Sequence, residues 1–226
     1  MTALRVRAYD LIVFDWDGTL FDSTALIVQC IQAAARDLGI AVPSDAQASH
    51  VIGLGLEDAL RSAVPGLDRE RYPALVARYR HHYLGRHHGL TLFPGTVEML
   101  QALRARGHLL AVATGKSRRG LDEVLDTRLD AVSLRGLFDA TRTADETRSK
   151  PHPLMLLELM AELGQDAART LMVGDTTHDL QLAANAGTDA VAVSFGAHEP
   201  EPLAALSPRA LLHSTAELHA WLAAHA

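Results

Sequence analysis

The chain has 226 residues, 48% of them hydrophobic and 21% charged, which is typical of a globular protein with a core domain and a smaller second one. Its 27 acidic residues outnumber its 21 Lys and Arg, and there is no long basic stripe, so we expect no nucleic-acid partner. No segment has the roughly 20 apolar residues of a membrane span, and the absence of a visible targeting signal and the single Cys30 predict a cytoplasmic protein without a membrane partner.

The first predicted strand leads directly into two acidic residues. Leu11–Phe14 is an uninterrupted apolar run, which predicts a strand buried on both faces of a parallel sheet. Asp15 follows at the carboxyl end, and near-extended backbone points Asp17 in roughly the same direction. Gly18 permits a sharp turn, and we expect its amide to be free to approach a ligand. Ligands bind at the carboxyl ends of strands in open α/β sheets, so the two carboxylates indicate a site there.

Residues 21–91 have a helical pattern without a convincing strand, which predicts a separate helical domain. It is expected to be a cap over the carboxyl edge of the sheet, because it is inserted directly after the first strand. The predicted elements are a helix over 24–38, a short helix capped by Ser44, a loop at Gly53-Leu54-Gly55, a helix over 57–64 and a longer helix from an Asp68 cap to Leu84.

From residue 92 onwards, predicted strands and helices alternate. The strands are expected over 109–113, 138–141, 170–173 and 189–194, and the helices after Pro94-Gly95, over 121–129, from Lys150-Pro151 to Leu163 and around Asp179. This alternation predicts right-handed βαβ units. The fold class is therefore α/β, with a Rossmann-like parallel sheet formed by residues 1–20 and 92–226.

Polar residues at three strand ends, together with one lysine, suit attack on a phosphate monoester. The carboxylate of Asp15 can attack phosphorus and form an aspartyl-phosphate, which divides one difficult step into two. Mutual repulsion of the negative charges then requires cations. Asp15 and Asp175 can share one Mg²⁺, and Lys150 supplies a second positive charge.

The remaining groups around the phosphate have distinct predicted tasks. The hydroxyl of Thr114 and the amides of Gly18 and Gly115 can hold phosphate oxygens. Asp17 is placed to protonate the leaving oxygen and later to deprotonate the attacking water. Asp179 lies one helical turn beyond Asp175, where it can orient Lys150 or a metal-bound water.

Lys116, Arg118 and Arg119 place three cations where the next helix begins. One interpretation is that they attract an anionic substrate. The other is local pairing of the arginines, because Asp122 and Glu123 lie four residues further on.

This constellation resembles the haloacid dehalogenase superfamily of phosphohydrolases. The resemblance covers essentially the whole chain and implies that Asp15 is the nucleophile, that Asp17 is the acid/base, and that Mg²⁺ binds to Asp15, the Asp17 carbonyl and Asp175. The insertion resembles a C1-type cap, as in the phosphoglycolate phosphatase and β-phosphoglucomutase group. The matching residues are Asp15-Trp16-Asp17-Gly18-Thr19, Thr114, Lys150 and Gly174-Asp175-Thr176-Thr177-His178-Asp179.

We therefore predict a Mg²⁺-dependent phosphatase acting on a small phosphorylated metabolite, as a monomer or homodimer. By resemblance, 2-phosphoglycolate is the first candidate substrate, and a sugar phosphate is the other. The nearest alternative is a phosphomutase, which moves the phosphoryl group to another sugar hydroxyl. A haloacid dehalogenase and a non-catalytic phosphate-binding module are further alternatives. The histidines at 81, 82, 87 and 88 are predicted to lie on polar faces rather than to bind a transition metal.

Overall fold

A parallel sheet forms the centre of the structure. The computed structural model describes residues 8–86, 89, 91–126, 128–129 and 132–226. Its strands are β1 (Leu11–Phe14), β2 (Leu109–Thr114), β3 (Arg128–Leu129), β4 (Val132–Ser133), β5 (Ala140–Thr143), β6 (Thr170–Gly174), β7 (Asp189–Val193) and β8 (Leu211–Leu212). Within these described residues, six strands form a parallel sheet in the order β5-β2-β1-β6-β7-β8, while β3 and β4 form a separate antiparallel pair. The predicted α/β class is confirmed.

The strand β1 lies at the middle of the sheet because both of its faces are apolar. Ile12 and Phe14 belong to the apolar cluster on one side of the sheet, and Leu11 and Val13 to the cluster on the other. All four side chains are fully buried. An apolar residue at every position is what a central parallel strand requires, since helices cover both faces of such a sheet.

Helices cover the two faces of the sheet. They are α5 (Thr96–Ala105), α6 (Arg118–Leu125), α7 (Leu154–Leu163), α8 (Thr177–Ala186), α9 (Pro200–Ala205) and α10 (Thr215–His225). The helix predicted over 121–129 begins earlier, because the Ser117 side chain accepts a hydrogen bond from the Gly120 amide and caps α6. The strand predicted over 138–141 is shifted to Ala140–Thr143. The elements β8, α9 and α10 were not predicted.

The helical segment between β1 and α5 has an apolar cluster of its own. It contains α1 (Thr24–Asp37), α2 (Asp45–His50), α3 (Leu56–Ala63) and α4 (Tyr72–Leu84). Ile31, Leu60 and Leu75 are buried at the centre of that cluster. Ser44 caps α2 as predicted, but Asp68 makes no capping bond, because a short 3₁₀ turn over Arg69–Arg71 precedes α4.

The chain enters and leaves this helical segment side by side. The Asp22 amide donates to the Thr91 carbonyl at 2.9 Å, and the Phe93 amide donates to the Leu20 carbonyl at 3.0 Å. Of the histidine positions discussed above, 87 and 88 lie outside the described residues. Within the part of the chain that the structure describes, no helix is both long enough and apolar enough to cross a membrane.

Candidate active site

The carboxyl ends of three adjacent strands bring the predicted polar residues together. Asp15 follows β1, Thr114 ends β2 and Asp175 follows β6, and all three are almost fully buried. Because β1 pairs in parallel with both β2 and β6, these ends meet at one edge of the sheet. The sheet therefore collects residues that are far apart in sequence.

Lys150 lies between two of the carboxylates at this edge. Its Nζ is 2.6 Å from Asp15 Oδ1 and 2.6 Å from Asp179 Oδ1, with none of its side chain exposed. Burial by itself lowers the pKa of Lys150, but Asp15 and Asp179 outweigh burial and raise it above its usual value. The lysine is therefore a fixed positive charge in contact with Asp179, and the orienting role of Asp179 stays a prediction.

Three buried carboxylates lie close together at this edge, and Lys150 contacts two of them. Oxygens of Asp15, Asp175 and Asp179 lie within 4.8 Å of one another. Burial, with the nearby Asp179 and Asp175 carboxylates, raises the pKa of Asp15 well above its usual range, although Lys150 opposes this. Burial and Asp179 also raise the pKa of Asp175 to about 7. A further cation would favour the charged forms, so this donor set fits a hard divalent ion.

Asp15 Oδ2 provides a second observation in favour of a ligand at this edge. It is buried and has no hydrogen-bond partner among the described residues, whereas Oδ1 accepts from Lys150. A buried carboxylate oxygen without a partner is costly in a folded protein. A metal ion or the phosphorus atom of a substrate would interact with this oxygen and compensate for the missing hydrogen bond.

Asp175 is held by contacts that the sequence did not predict. Thr19 Oγ1 donates to Asp175 Oδ1 at 2.8 Å, and the Ala197 amide donates to Oδ2 at 2.7 Å. A Cβ at Gly18 or at Gly196 would collide with the Asp175 carboxylate. Both positions therefore need glycine for close packing.

The structure corrects the expectation for the Gly18 amide. This amide donates to the Phe21 carbonyl at 2.9 Å, so it is engaged in the turn instead of being free for phosphate. The φ of Gly18 is +83°, in the left-handed region that favours glycine. The role of Gly18 is thus to form the turn and to let Asp175 approach.

The Asp17 carboxylate lies outside the acidic cluster. Its Oδ1 accepts from Ser23 Oγ at 2.6 Å and is 3.0 Å from Lys116 Nζ. Any contribution of Asp17 to a metal therefore falls to its backbone carbonyl, which is the role that the family resemblance implies. The carboxylate itself lines the cavity between the sheet edge and the helical segment.

Lys116, predicted to bind substrate, links Asp17 to the helical segment. Its Nζ is 3.0 Å from Tyr83 Oη on α4 and 5.0 Å from the centre of the Tyr83 ring. Burial opposes the charged form, but Asp17 and Tyr83 raise the pKa of Lys116 above its usual value. Lys116 is therefore a buried ammonium group between the predicted acid/base and the helical segment.

The two arginines that follow Lys116 along the chain are both paired with acidic residues, at i+4 in each case and for Arg118 also with the more distant Glu146. Arg118 contacts Glu146 at 2.7 Å and Asp122 at 3.5 Å, and Arg119 contacts Glu123 at 3.0 Å. The pairing interpretation therefore describes their contacts in this structure.

Asp179 is placed by the local structure at the start of α8. Thr176 is the N-cap: its Oγ1 accepts from the Asp179 amide at 3.4 Å, while its amide and its hydroxyl donate to Asp179 Oδ2 at 3.1 and 2.7 Å. This reciprocal arrangement is a capping box with an acidic residue at the third helical position. It leaves Asp179 Oδ1 to accept from Lys150.

The loop at residues 53–55 lies directly over the end of β2. A Cβ at Gly115 would collide with the carbonyl oxygens of Gly53 and Leu54, and the Gly55 amide donates to Ser149 Oγ at 2.8 Å. Next to this contact, Thr114 Oγ1 accepts from the Lys116 amide at 3.2 Å. Sheet edge and helical segment together enclose a cavity of about 730 Å³.

Sequence reasoning missed several residues that hold this site. Ser23 and Thr19 had a usable signal, since both are hydroxyl residues close to Asp17. Tyr83 and Gly196 had none, because their contacts depend on how distant segments pack.

Comparisons with known proteins agree with this geometry. A family model described as haloacid dehalogenase-like hydrolase matches residues 12–193. The chain is 40% identical to a probable phosphatase, IndB, of Dickeya dadantii, over 92% of this chain and 91% of that protein. It is 36% identical to a phosphoglycolate phosphatase of Caulobacter vibrioides, over 90% of this chain and 86% of that protein. A crystal structure of a predicted phosphoglycolate phosphatase from Haemophilus somnus superposes with a TM-score of 0.82 at 26% identity, covering 94% of this chain and 97% of that one.

Proposed function

The protein belongs to the haloacid dehalogenase-like hydrolase family and is a phosphoric monoester hydrolase, and we propose that it hydrolyses a small phosphorylated metabolite through an aspartyl-phosphate on Asp15. The observation that carries this proposal is the environment of Asp15. One oxygen is held by Lys150, while the other is buried at the sheet edge and has no hydrogen-bond partner in the described part of the chain. That arrangement suits a nucleophile with one oxygen reserved for attack.

Each step follows from side chains at the edge. Asp15 Oδ2 forms a bond to phosphorus while the bond from phosphorus to the leaving oxygen breaks. Asp17 gives that oxygen a proton. Asp17 then removes a proton from a water that attacks phosphorus, which releases inorganic phosphate and restores the Asp15 carboxylate. Lys150 and the Thr114 hydroxyl stabilise the phosphoryl oxygens in both steps.

Asp15, the Asp17 carbonyl and Asp175 are the groups that we expect to hold Mg²⁺. The raised pKa values of Asp15 and Asp175 and the shared Lys150 support a cation there. When bound, Mg²⁺ supplies positive charge that offsets the repulsion between phosphate and carboxylates.

We further propose that residues 21–91 are a C1-type cap that closes over this site. The separate apolar cluster of the helical segment supports an independent unit, and the paired crossings near Leu20 and Thr91 support a hinge. Closure would exclude bulk water from the cavity while the aspartyl-phosphate forms. Cap residues such as Tyr83 would then surround the leaving group.

The substrate class is a phosphoglycolate-like or sugar phosphate. Relatives named phosphoglycolate phosphatase support the first, and both are small enough for a cavity of about 730 Å³. A cytoplasmic location and a monomeric or homodimeric state remain predictions.

A phosphate-release assay tests this proposal. The protein is incubated with Mg²⁺ and a panel that includes 2-phosphoglycolate, hexose 1- and 6-phosphates and p-nitrophenyl phosphate. We expect release of inorganic phosphate, lost on complete chelation and restored by Mg²⁺. Isomerisation of a sugar phosphate without phosphate release would instead identify a phosphomutase. Turnover that survives complete chelation would contradict the metal assignment.

A further inference from the structure

Three histidines outside the catalytic constellation cluster between the cap and the core. His50 ends α2, His178 lies in the first turn of α8 and His198 lies in the loop after β7. The His50 and His198 rings are stacked, with centroids 5.1 Å apart and planes inclined by 12°. The His178 ring lies 5.5 Å from the His50 ring and 5.3 Å from the His198 ring. His178 and His198 are buried, whereas the His50 side chain is exposed.

Both buried imidazoles converge on one backbone atom of the cap. The Nε2 atoms of His178 and His198 lie 2.8 and 3.1 Å from the His50 carbonyl oxygen. A carbonyl can only accept, so both Nε2 atoms carry the proton. The Thr177 amide is 3.0 Å from His198 Nδ1, which independently makes Nδ1 the acceptor in that ring. His198 is thus a neutral donor, and His178 also donates through Nε2.

Burial favours the same neutral state. It lowers the pKa of His178, and, together with His178, it lowers the pKa of His198 to about 4. Among the described residues, the side chains whose ligand atoms lie close enough together to hold a metal ion are Asp15, Asp175 and Asp179, and none of these histidines is one of them. The cluster therefore acts through hydrogen bonds to a carbonyl.

The acceptor lies at a position that controls the cap loop. The His50 carbonyl is at the C-terminus of α2, where helix carbonyls lack partners within the helix. The loop Gly53–Gly55 begins three residues later, and its Gly53 and Leu54 carbonyls lie against Gly115, beside the proposed phosphate position. Holding the end of α2 therefore holds this loop over the site.

We propose that His178 and His198 are positioning residues that latch the cap onto the core through the His50 carbonyl. The consequence for turnover rests on the proposed function, but the latch itself is independent of it. Loss of one donor lowers the ratio of closed to open cap by about five- to tenfold, which is the factor that one hydrogen bond of ordinary net strength supplies. The apparent affinity for substrate falls by up to the same factor.

Three His→Phe substitutions distinguish loss of the latch hydrogen bonds from a general disturbance of the packing. His178→Phe and His198→Phe each remove a donor and keep an aromatic ring. His50→Phe is the matched control, because the acceptor is its backbone carbonyl and its exposed ring can still stack. His178→Phe is the cleaner probe, since His198 also accepts from the Thr177 amide. His178→Gln, with a side-chain N–H of similar reach, tests rescue.

Two measurements are made on the full chain: amide hydrogen exchange over residues 51–55, and the separate values of KM and kcat. We expect His178→Phe and His198→Phe to speed exchange in the loop and raise KM by about five- to tenfold, with kcat within about twofold, because the chemical groups are untouched. His50→Phe should match the unmodified protein, and His178→Gln should recover part of the loss.

The latch is wrong if His178→Phe leaves both loop exchange and KM unchanged, or if His50→Phe produces the same effects. The latch stands and the proposed function fails if the unmodified protein releases no phosphate while the exchange pattern is as expected.

Discussion

The two oxygens of Asp15 lie in different environments, and this difference suits the chemistry of that residue. Oδ1 accepts from Lys150, so the carboxylate cannot rotate freely, whereas Oδ2 stays without a partner among the described residues. As the proposed nucleophile, a carboxylate that is held in place and keeps one oxygen unbonded spends little entropy on reaching its attacking geometry. The interaction with Lys150 is therefore part of the positioning as well as of the charge balance.

Asp15→Asn should abolish turnover and leave the fold intact. The amide is nearly the same shape but cannot form the aspartyl-phosphate, so we expect kcat to fall by at least about 10³-fold. The change removes a buried carboxylate whose pKa is already raised, so the melting temperature should change little. Substantial residual activity of a folded Asp15→Asn protein would contradict the nucleophile assignment.

Asp17→Asn should produce a loss that depends on the leaving group. The variant cannot donate a proton, so the rate of phosphoryl transfer from an alkyl phosphate should fall by about 10²- to 10⁴-fold. A p-nitrophenyl ester needs little protonation and should still phosphorylate Asp15, which a stopped-flow burst of nitrophenolate measures.

Asp22→Asn is the matched control for this variant, because Asp22 lies only five residues after Asp17 and its side chain is exposed. It should not change the ratio between the two esters. An equal loss for both esters in the Asp17→Asn variant would contradict proton donation by Asp17.

At the scale of elements, the strand ends determine what meets and the helical segment determines what is covered. Thr114 ends β2, Gly115 follows it, and the loop after α2 lies against Gly115. Glycine at position 115 is explained by this contact, since any side chain would push the loop away. The sheet supplies the edge at which we propose the reaction, and the loop covers that edge.

Gly115→Ala should displace the loop without unfolding the protein. The added Cβ would collide with two carbonyl oxygens of the loop, and such misplacement near the chemistry lowers kcat/KM by about tenfold to a hundredfold. Gly120→Ala is the control, because its Cβ would meet only Ser117 Oγ, at 3.4 Å.

The control should keep full activity and gain about 0.5–1 kcal/mol of stability from its higher helix propensity. Steady-state kinetics and thermal unfolding of both variants check these outcomes. Unchanged kcat/KM in Gly115→Ala would contradict the importance of the loop contact.

At the scale of the whole molecule, buried titratable groups tie stability to pH in opposite directions. The raised pKa of Asp175, about 7, lets the folded protein bind a proton there between about pH 4 and 7, which favours the folded state as the pH falls. The lowered pKa of His198 has the opposite effect. The pH dependence of the free energy of unfolding of the unmodified protein therefore does not separate the two effects. Comparison with a variant that lacks one of the two groups does.

His198→Phe should have an effect on stability that depends on pH. The free energy of unfolding of the unmodified protein minus that of the variant should be highest near pH 7 and fall towards pH 5. Folded His198 stays neutral down to about pH 4, whereas unfolded histidine binds a proton below about pH 6.5. Between these two pH values, proton binding to His198 favours the unfolded state of the unmodified protein, and the variant lacks this effect. The free energy of unfolding of the unmodified protein should therefore fall relative to that of the variant as the pH decreases. Urea unfolding at both pH values measures the gap, and a constant gap would contradict the neutral buried state of His198.

The sequence by itself determined the fold class and the family. Alternating strand and helix patterns are local, and the acidic and hydroxyl residues at strand ends needed only the rule that parallel ends share an edge. The sequence motifs also predicted which residues meet at this edge. In the structure, Lys150 contacts Asp15 although the two are 135 positions apart. Helix starts were harder, as Asp68 and α6 show, because a competing turn or cap shifts them.

Only the tertiary structure decided how those residues are paired. The local pattern at Gly18 suggested a free amide, but the turn uses it for Phe21. The contacts of Lys116 with Asp17, and of His178 and His198 with His50, join segments whose distance depends on packing. The physical reason is that hydrogen bonds form only within about 3.5 Å, and no local sequence pattern encodes the separation of two packed elements to that precision.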